Sequence, residues 1–400
     1  MKILAFSEHF FPRIGGTVEY VHRTCENLQD LGNDVHLIIP GSEENAVVIS
    51  DYPYKVTSLG VGWPTKGDPS RETRYRFCFQ ANQFIVEYLK SQKIDVIHVL
   101  FGLFLNEKLD IRTFRSMGIP CLTSVMNIPP QECSRSWPTD KKINYLADSL
   151  RLKAVAFKNL RRLRAHPYTS YIAVSQHTKR LLKEVLPKAQ IDVVHHGCSP
   201  NSFSKTLISK NFSPRLNNPI NLLTVGGWVP HKRQHIIPDI ALRLRDAGLE
   251  FRWNIVGPAT RIPRYQQAVI DAIEAYNLET FVKVSGAVPT NKLIEMYYSA
   301  NLYVQPSTEE GFCMTALDAA AIGLPVIASP TGALPEIAKL SGGVLIQSKV
   351  EEVSRAIQHF INADLWENDV TSKINLIREE FSWEASAKQL EKIYLSVTNH

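Results

Sequence analysis

Apolar runs of strand length alternate with segments of helical period along nearly the whole chain. KILAFS (2–7) is the continuous apolar run of a strand buried on both faces, and Val18, Val21, Cys25 and Leu28 follow at spacings of three and four, one stripe of a helix. Leu31-Gly32 predicts the end of that helix, because glycine takes the left-handed cap without a Cβ penalty. VHLIIP (35–40) is the next strand, completing a β-α-β unit. DVIHVL (95–100), PCLTSV (120–125), YIAVS (171–175) and IDVVH (191–195) repeat the theme, with helix-like segments between most of them. Buried strands joined by helices imply a parallel sheet covered on both faces.

Around 198–219 the pattern lapses into CSPNSFSKTLISKNFSPRLNNP, whose serines, asparagines and prolines predict a linker. A second series starts at INLLTVGG (220–227) and continues through FRWNIVG, FVKVSGA, LYVQPS, PVIAS and GVLIQ. Two similar α/β halves are therefore expected. Open parallel sheets bind ligands beyond the carboxyl ends of their strands, so two such domains facing each other would hold a site in the cleft between them. In the first strand-end loop, HFFPRIGGTVEY, Gly15-Gly16 precedes a helix. Either it lets the backbone approach an anion at the helix start or it is a plain tight turn. A dinucleotide dehydrogenase fits poorly, because GxGxxG is missing after the first strand and the second ends in Pro40-Gly41 rather than in an acid placed for a ribose.

Composition narrows the class. At 400 residues and 44% hydrophobic content the chain exceeds one ordinary core, and with 21% charged residues and no low-complexity segment it is a folded globular protein. A net charge of +6 suits an anionic small ligand or a membrane face, but it is spread thinly and no nucleic-acid motif accompanies it. The six cysteines are scattered without CxxC or metal-ligand spacing, so reduced thiols and no metal site are expected. The N-terminal apolar run is too short for a signal peptide, and no stretch of about 18 apolar residues occurs to span a bilayer. A cytoplasmic location is expected.

The candidate chemistry lies in EEGFCMTALDAAAIGLPVIAS (309–329). LYVQPS predicts a strand, STEEG a loop at its carboxyl end, and CMTALDAAAI a helix closed by Gly323. The amides of Gly311, Phe312, Cys313 and Met314 would then face an anion at a helix N-terminus, where unpaired donors and the macrodipole favour phosphate. Glu310 is a candidate acceptor for sugar hydroxyls and Asp318 for a ribose, while Ala319-Ala320-Ala321 allows close packing on the sheet. On residue types alone, a solvated loop acid and a surface acid remain the other reading of this pair.

This stretch resembles the E-x7-E signature of the retaining glycosyltransferases of family 4, with its second acid an aspartate, and GFCMTALDAAAIGLPVIAS extends the resemblance. FFPRIGGTVEYV is similar to the N-terminal glycine loop, IDVIH to the third-strand region, and IAVSQHTKRLLKE to the end of the first domain. VVHHGCSPNSF resembles the crossover, LLTVGGWVPHK the phosphate-binding start of the second domain, and FSWEASAKQLEKIY the last helix. The resemblance covers nearly the whole chain. It implies the GT-B fold: two Rossmann-like domains facing a central cleft, with the C-terminal helix crossing back to the N-terminal domain. Residues 1–200 would bind acceptor, 201–381 a nucleotide-sugar donor, and 382–400 would form the returning helix.

Residue by residue, the resemblance implies that Glu310 contacts the donor sugar, Asp318 the ribose, and Lys232 the diphosphate, with Glu310 and Lys232 carrying catalysis. It places the amides of Gly311 to Thr315 (Gly311, Phe312, Cys313, Met314, Thr315) over phosphate and sugar, Gly16 near the same group, and Ala287 and Val288 at the base. No cofactor or metal is implied, only a UDP- or GDP-linked sugar as co-substrate, with a sugar, lipid-linked or small-molecule acceptor. Three positions depart from the family pattern. Asp318 replaces a glutamate, Gly227 stands where an arginine usually partners the lysine, and Met126-Asn127 replaces a His-Asp pair at the donor sugar. Arg233 and His231 are candidate sources of the charge absent at Gly227.

His98 at a strand end and His196 near the domain junction are candidates for sugar or acceptor contact, with a hydrogen-bonded structural role as the alternative. The basic stretch RLKAVAFKNLRRLR (151–164), and similarly RETRYRF (71–77), suits either an anionic lipid surface on the inner face of a membrane or plain solvent. The expected function is retaining, metal-independent transfer from a nucleoside-diphosphate sugar to an acceptor hydroxyl, in polysaccharide, glycolipid or specialised-metabolite assembly. A nucleotide-sugar epimerase, a phosphorylase and a non-catalytic scaffold are the competing classes.

Overall fold

The computed structural model describes residues 1–13, 15–43, 45–65, 67, 69–102, 105–126, 167–199, 219–259, 263–362 and 370–398. Within them the chain divides into two compact units, the first made of the segments up to 197 together with those from Ser382 onward, the second of the remainder, from Cys198 to Phe381. Residues 200–218 of the linker expected at 198–219, the basic stretch 151–164 and Asn127 lie outside the described residues.

In the first unit, β1 (Lys2–Ser7), β2 (Asp34–Ile39), β3 (Val47–Ile49), β4 (Lys55–Ser58), β5 (Val96–Phe101), β6 (Cys121–Val125), β7 (Ser170–Ala173) and β8 (Ile191–Val193) form one sheet in the order 3-4-2-1-5-6-7-8. All its pairings are parallel except that of β3 with β4. β3 and β4 are absent from the sequence-based expectation. β3 is an edge strand with Val47 and Val48 exposed, and of the three residues that β4 buries, Val56, Thr57 and Ser58, only the first is apolar, so neither carries the apolar run that marks the central strands. In β1, by contrast, every residue after Lys2 is buried.

The second unit holds β9 (Ile220–Val225), β10 (Phe251–Val256), β11 (Val282–Ser285), β12 (Leu302–Gln305), β13 (Val326–Ala328) and β14 (Val344–Leu345) in the order 11-10-9-12-13-14, all pairings parallel. Each unit has its own core. Phe6, Phe77, Val99 and Phe114 anchor the first, and Trp228, Trp253, Ile255 and Tyr265 the second. Each such side chain contributes roughly 1.5–3 kcal/mol on burial, which is why the units are separately compact.

Helix Trp383–Thr398 belongs to the first unit. Its inner face buries Trp383, Leu390, Ile393 and Tyr394, and Glu391 accepts a hydrogen bond of 2.8 Å from Asn33 Nδ2. Gln389 Nε2 donates to the Val193 carbonyl at 2.7 Å, and Ser386 Oγ donates to the His195 carbonyl. Gly197 admits this helix. A Cβ there would lie 2.4 Å from the Trp383 nitrogen. Among the described residues no helix is long and apolar enough to cross a membrane, and no group of three or more His, Cys, Asp or Glu is placed to hold a metal ion.

Candidate active site

The carboxyl end of β12 positions the central pair. Past Gln305 the chain turns through Ser307 and Glu310 into helix Met314–Ala321, which ends before Gly323 in the left-handed region, as its sequence predicts. Lys232 reaches Glu310 from the loop after β9, with Nζ 2.6 Å and 2.8 Å from the two carboxylate oxygens. The side chains are 17% and 7% exposed, so this is a nearly dry ion pair with a narrow opening to solvent. Burial alone would lower the Lys232 pKa, but the adjoining Glu310 carboxylate outweighs it and the net shift is upward, so the lysine stays charged at neutral pH.

Several residues that the sequence reading passed over hold this pair. Ser307 Oγ donates to Glu310 Oε1 at 2.7 Å and accepts from Gln305 Nε2 at 2.6 Å, and Gln305 Oε1 lies 3.0 Å from the Tyr303 phenol. Residues 303, 305 and 307 share one side of the strand by its two-residue period. The alternating polar positions in LYVQPS were the signal available for them. The Glu310 N–H donates to Thr331 Oγ1 at 3.2 Å. Gly332, at φ +59°, packs against the same residue, where a Cβ would stand 2.7 Å from both Glu310 Cβ and its carbonyl oxygen. Only glycine fits both the conformation and the space.

Thr315 and Cys313 frame the helix start. Thr315 Oγ1 donates to the Val225 carbonyl at 3.1 Å, tying the first turn to the end of β9. Cys313 sits at φ +82°, an uncommon conformation for a non-glycine residue, and burial pushes its thiol up to about 12, so it is a neutral packing group. Phe312 is buried with its ring 6.0 Å from Phe381, while Gly311 and Met314 are partly exposed.

Other candidates are placed differently. Asp318 accepts from the Ser199 N–H at 3.0 Å and lies 3.5 Å from its hydroxyl, so its carboxylate engages the segment entering the unit. Arg233, at φ +60°, donates to the Ser348 carbonyl at 3.0 Å. Burial first, and the Lys232 ammonium second, lower the pKa of His231 to about 4, so its ring favours the neutral form near pH 7. Ala287 is exposed and Val288 half-buried just beyond β11.

In the first unit, exposed Gly16 opens helix Gly16–Asp30 and Met126 follows β6 half-buried. His98 is fully buried. Its Nδ1 is 2.6 Å from the Tyr394 hydroxyl and its Nε2 is 2.9 Å from Ser124 Oγ, which is 2.8 Å from the Tyr20 hydroxyl. This is the geometry of the structural alternative, since both ring nitrogens are engaged away from any surface. His196 is 5% exposed and stacks on both Tyr20 and Trp383, with centroid distances of 4.6 and 5.9 Å, the three rings forming one cluster.

Two α/β units, each built on a largely parallel sheet, are the elements of the GT-B fold, and solved structures agree on it. Sucrose-phosphate synthase from Thermosynechococcus elongatus superposes with a TM-score of 0.74 at 19% identity, covering 99% of this chain and 98% of that one. HepE from Anabaena, solved with UDP and glucose, gives 0.69 at 17% identity over 99% and 100%. Residues 14–202 match Glycosyltransferase Family 4 and residues 208–374 match Glycosyl transferases group 1. The chain belongs to the family 4 type of GT-B glycosyltransferases.

Relatives are distant. Lipopolysaccharide 1,2-N-acetylglucosaminetransferase of Salmonella typhimurium is 27% identical over 55% of this chain and 60% of its own length. The phosphatidylinositol N-acetylglucosaminyltransferase gpi3 subunit of Schizosaccharomyces pombe is 21% identical over 98% of this chain and 80% of its own. The chain spans about half the length of the curated bacterial relatives it matches.

Proposed function

We propose that this protein transfers a sugar, with retention, from a UDP- or GDP-linked donor to an acceptor hydroxyl, without metal or other cofactor. The single observation that carries the reading is the charged Lys232–Glu310 pair at the start of helix Met314–Ala321. In the reaction the acceptor oxygen bonds to the anomeric carbon as the bond from that carbon to the diphosphate oxygen breaks. The electron pair leaves with the diphosphate, and the departing phosphate oxygen takes the acceptor's proton. Lys232 and the amides from Gly311 to Thr315 would stabilise the leaving charge, and Glu310 would accept from sugar hydroxyls. Asp318 would meet the ribose, with Arg233, Ala287, Val288 and Gly16 as further donor contacts.

The first unit would bind the acceptor. In support, a cavity of about 70 Å³ lined by Glu8, Arg13, Glu43 and Trp63 lies beyond β1 and β2. Relatives named for lipopolysaccharide and phosphatidylinositol favour a lipid-borne glycan acceptor, handled by a cytoplasmic protein at the inner face of a membrane. Helix Arg71–Ser91 supports such contact. It exposes Tyr75, Phe79 and Val86 along one side, with the Arg71 and Lys108 cations each 5.4 Å from the Tyr75 ring centroid. Salt-sensitive co-sedimentation with anionic vesicles is expected, and no binding at low salt would remove this part of the reading.

Calorimetry with UDP- and GDP-sugars, followed by product detection over an acceptor panel, tests the whole. Binding followed by transfer is expected. Turnover of donor without acceptor would point to an epimerase, and binding without transfer to a non-catalytic protein.

A further inference from the structure

The acid expected to read the sugar and the cation expected to hold the diphosphate are each other's counter-ion. Two of the three Lys232 ammonium hydrogens are directed at one carboxylate, at 2.6 and 2.8 Å, and both side chains are largely withdrawn from water. A diphosphate drawing Lys232 away leaves Glu310 with the hydrogen bond from Ser307 and the neighbourhood of a second anion. A buried carboxylate stripped of donors is costly unless something replaces them. Hydroxyls of a sugar attached to that same diphosphate are suitable replacements.

We propose that the Lys232–Glu310 pair is an exchangeable lock that makes the site discriminate a nucleoside-diphosphate sugar from the bare nucleoside diphosphate, and that Ser307 and Gln305 are positioning residues that hold Glu310 during the exchange. The inference rests on the donor reading given above. With the sugar present, both halves of the broken pair find new partners. Once the sugar has gone to the acceptor, Glu310 loses its donors and competes for Lys232 again, which drives the nucleoside diphosphate out. Tyr303, Gln305 and Ser307 are all fully buried, and their neutral chain keeps Glu310 Oε1 fixed from the strand side whichever partner faces it from the other. Gly332 and the Thr331 hydroxyl hold the backbone of the same residue, so the exchange moves the lysine and not the acid.

The test is calorimetry of UDP, UDP-glucose, GDP and GDP-mannose on the full chain and on Glu310→Gln and Ser307→Ala. The wild-type chain is expected to bind a sugar nucleotide about tenfold or more tighter than the matching bare diphosphate, and Glu310→Gln to tighten the bare diphosphate by about threefold to tenfold, because Lys232 loses its competing anion. Ser307→Ala is expected to weaken the bare diphosphate more than the sugar nucleotide, because it removes the donor left to Glu310 once Lys232 moves away, and this supplies a readout if Glu310→Gln does not fold. Unchanged or weaker binding of bare diphosphate by Glu310→Gln, or equal losses for both ligands in Ser307→Ala, overturns the lock. Binding of none of the four compounds by the wild-type chain overturns the donor reading and the lock together. The exchange without any sugar transfer supports the lock while removing the catalytic reading.

Discussion

Two polar networks are buried near strand ends of this protein, and they differ in charge. In the second unit Tyr303, Gln305 and Ser307 lead to Glu310 and end on the Lys232 ammonium, 17% exposed. In the first unit Tyr20, Ser124, His98 and Tyr394 form a neutral chain in which each ring nitrogen and hydroxyl has a partner. A closed neutral chain gains by joining elements: it ties helices Gly16–Asp30 and Trp383–Thr398 to β5 and β6. A charged pair with an opening to solvent gains little stability over apolar packing and holds groups that a ligand can engage.

Substitutions should separate the two networks. The largest effect is expected at the charged end, where Glu310→Ala and Lys232→Ala should each cut transfer at least about tenfold, and by as much as about a thousandfold, with circular dichroism unchanged. Near-normal rates in both would erase the distinction. Gly332→Ala comes next, since a Cβ would strain a left-handed residue and press on Glu310. A stability loss of about 2–3 kcal/mol in urea unfolding is expected, together with reduced transfer. Tyr394→Phe removes the hydroxyl 2.6 Å from His98 and should cost about 1–2 kcal/mol of stability while leaving the KM for donor unaltered. A shift in that KM would mean that the neutral chain reports to the donor site.

The smallest effect per step is in acid. Burial lowers the pKa of His98 to about 3, from 6.5 in the unfolded chain. The unfolded state therefore binds the extra proton first as pH falls below 6.5. The contribution of this histidine to stability is intact above that pH and is lost as pH drops toward 3, by at most about 1.4 kcal/mol per pH unit. Thermal midpoints between pH 7 and 4 should fall less steeply in His98→Gln than in the parent chain.

Much of this was legible in advance. Buried parallel strands leave mostly apolar runs, as in β1, β2, β5, β9 and β12, whereas in β10 exposed Arg252 and half-buried Asn254 alternate with buried apolar residues. β3 and β4 were not legible, because β3 leaves Val47 and Val48 exposed at the sheet edge and two of the three residues that β4 buries, Thr57 and Ser58, are polar. Glu310 was a candidate by its place after a strand end and before a helix, while Lys232 was named only through the family resemblance. Ser307, Thr331 and Gly332 were missed because a serine, threonine or glycine in a loop has the same appearance whether or not it supports a carboxylate.

The chain's own order of apolar and polar residues determined the two α/β halves, the turn at 309–314 and the residue types available for anion and hydroxyl contact. Local periodicity and capping are short-range, so they survive in a one-dimensional reading. Tertiary structure alone decided that Lys232 and Glu310 meet, that His98 faces inward onto Tyr394, and that Asp318 holds Ser199. These pairs are separated by 78, 296 and 119 positions, and only the packing of each core sets which distant side chains share a hydrogen bond.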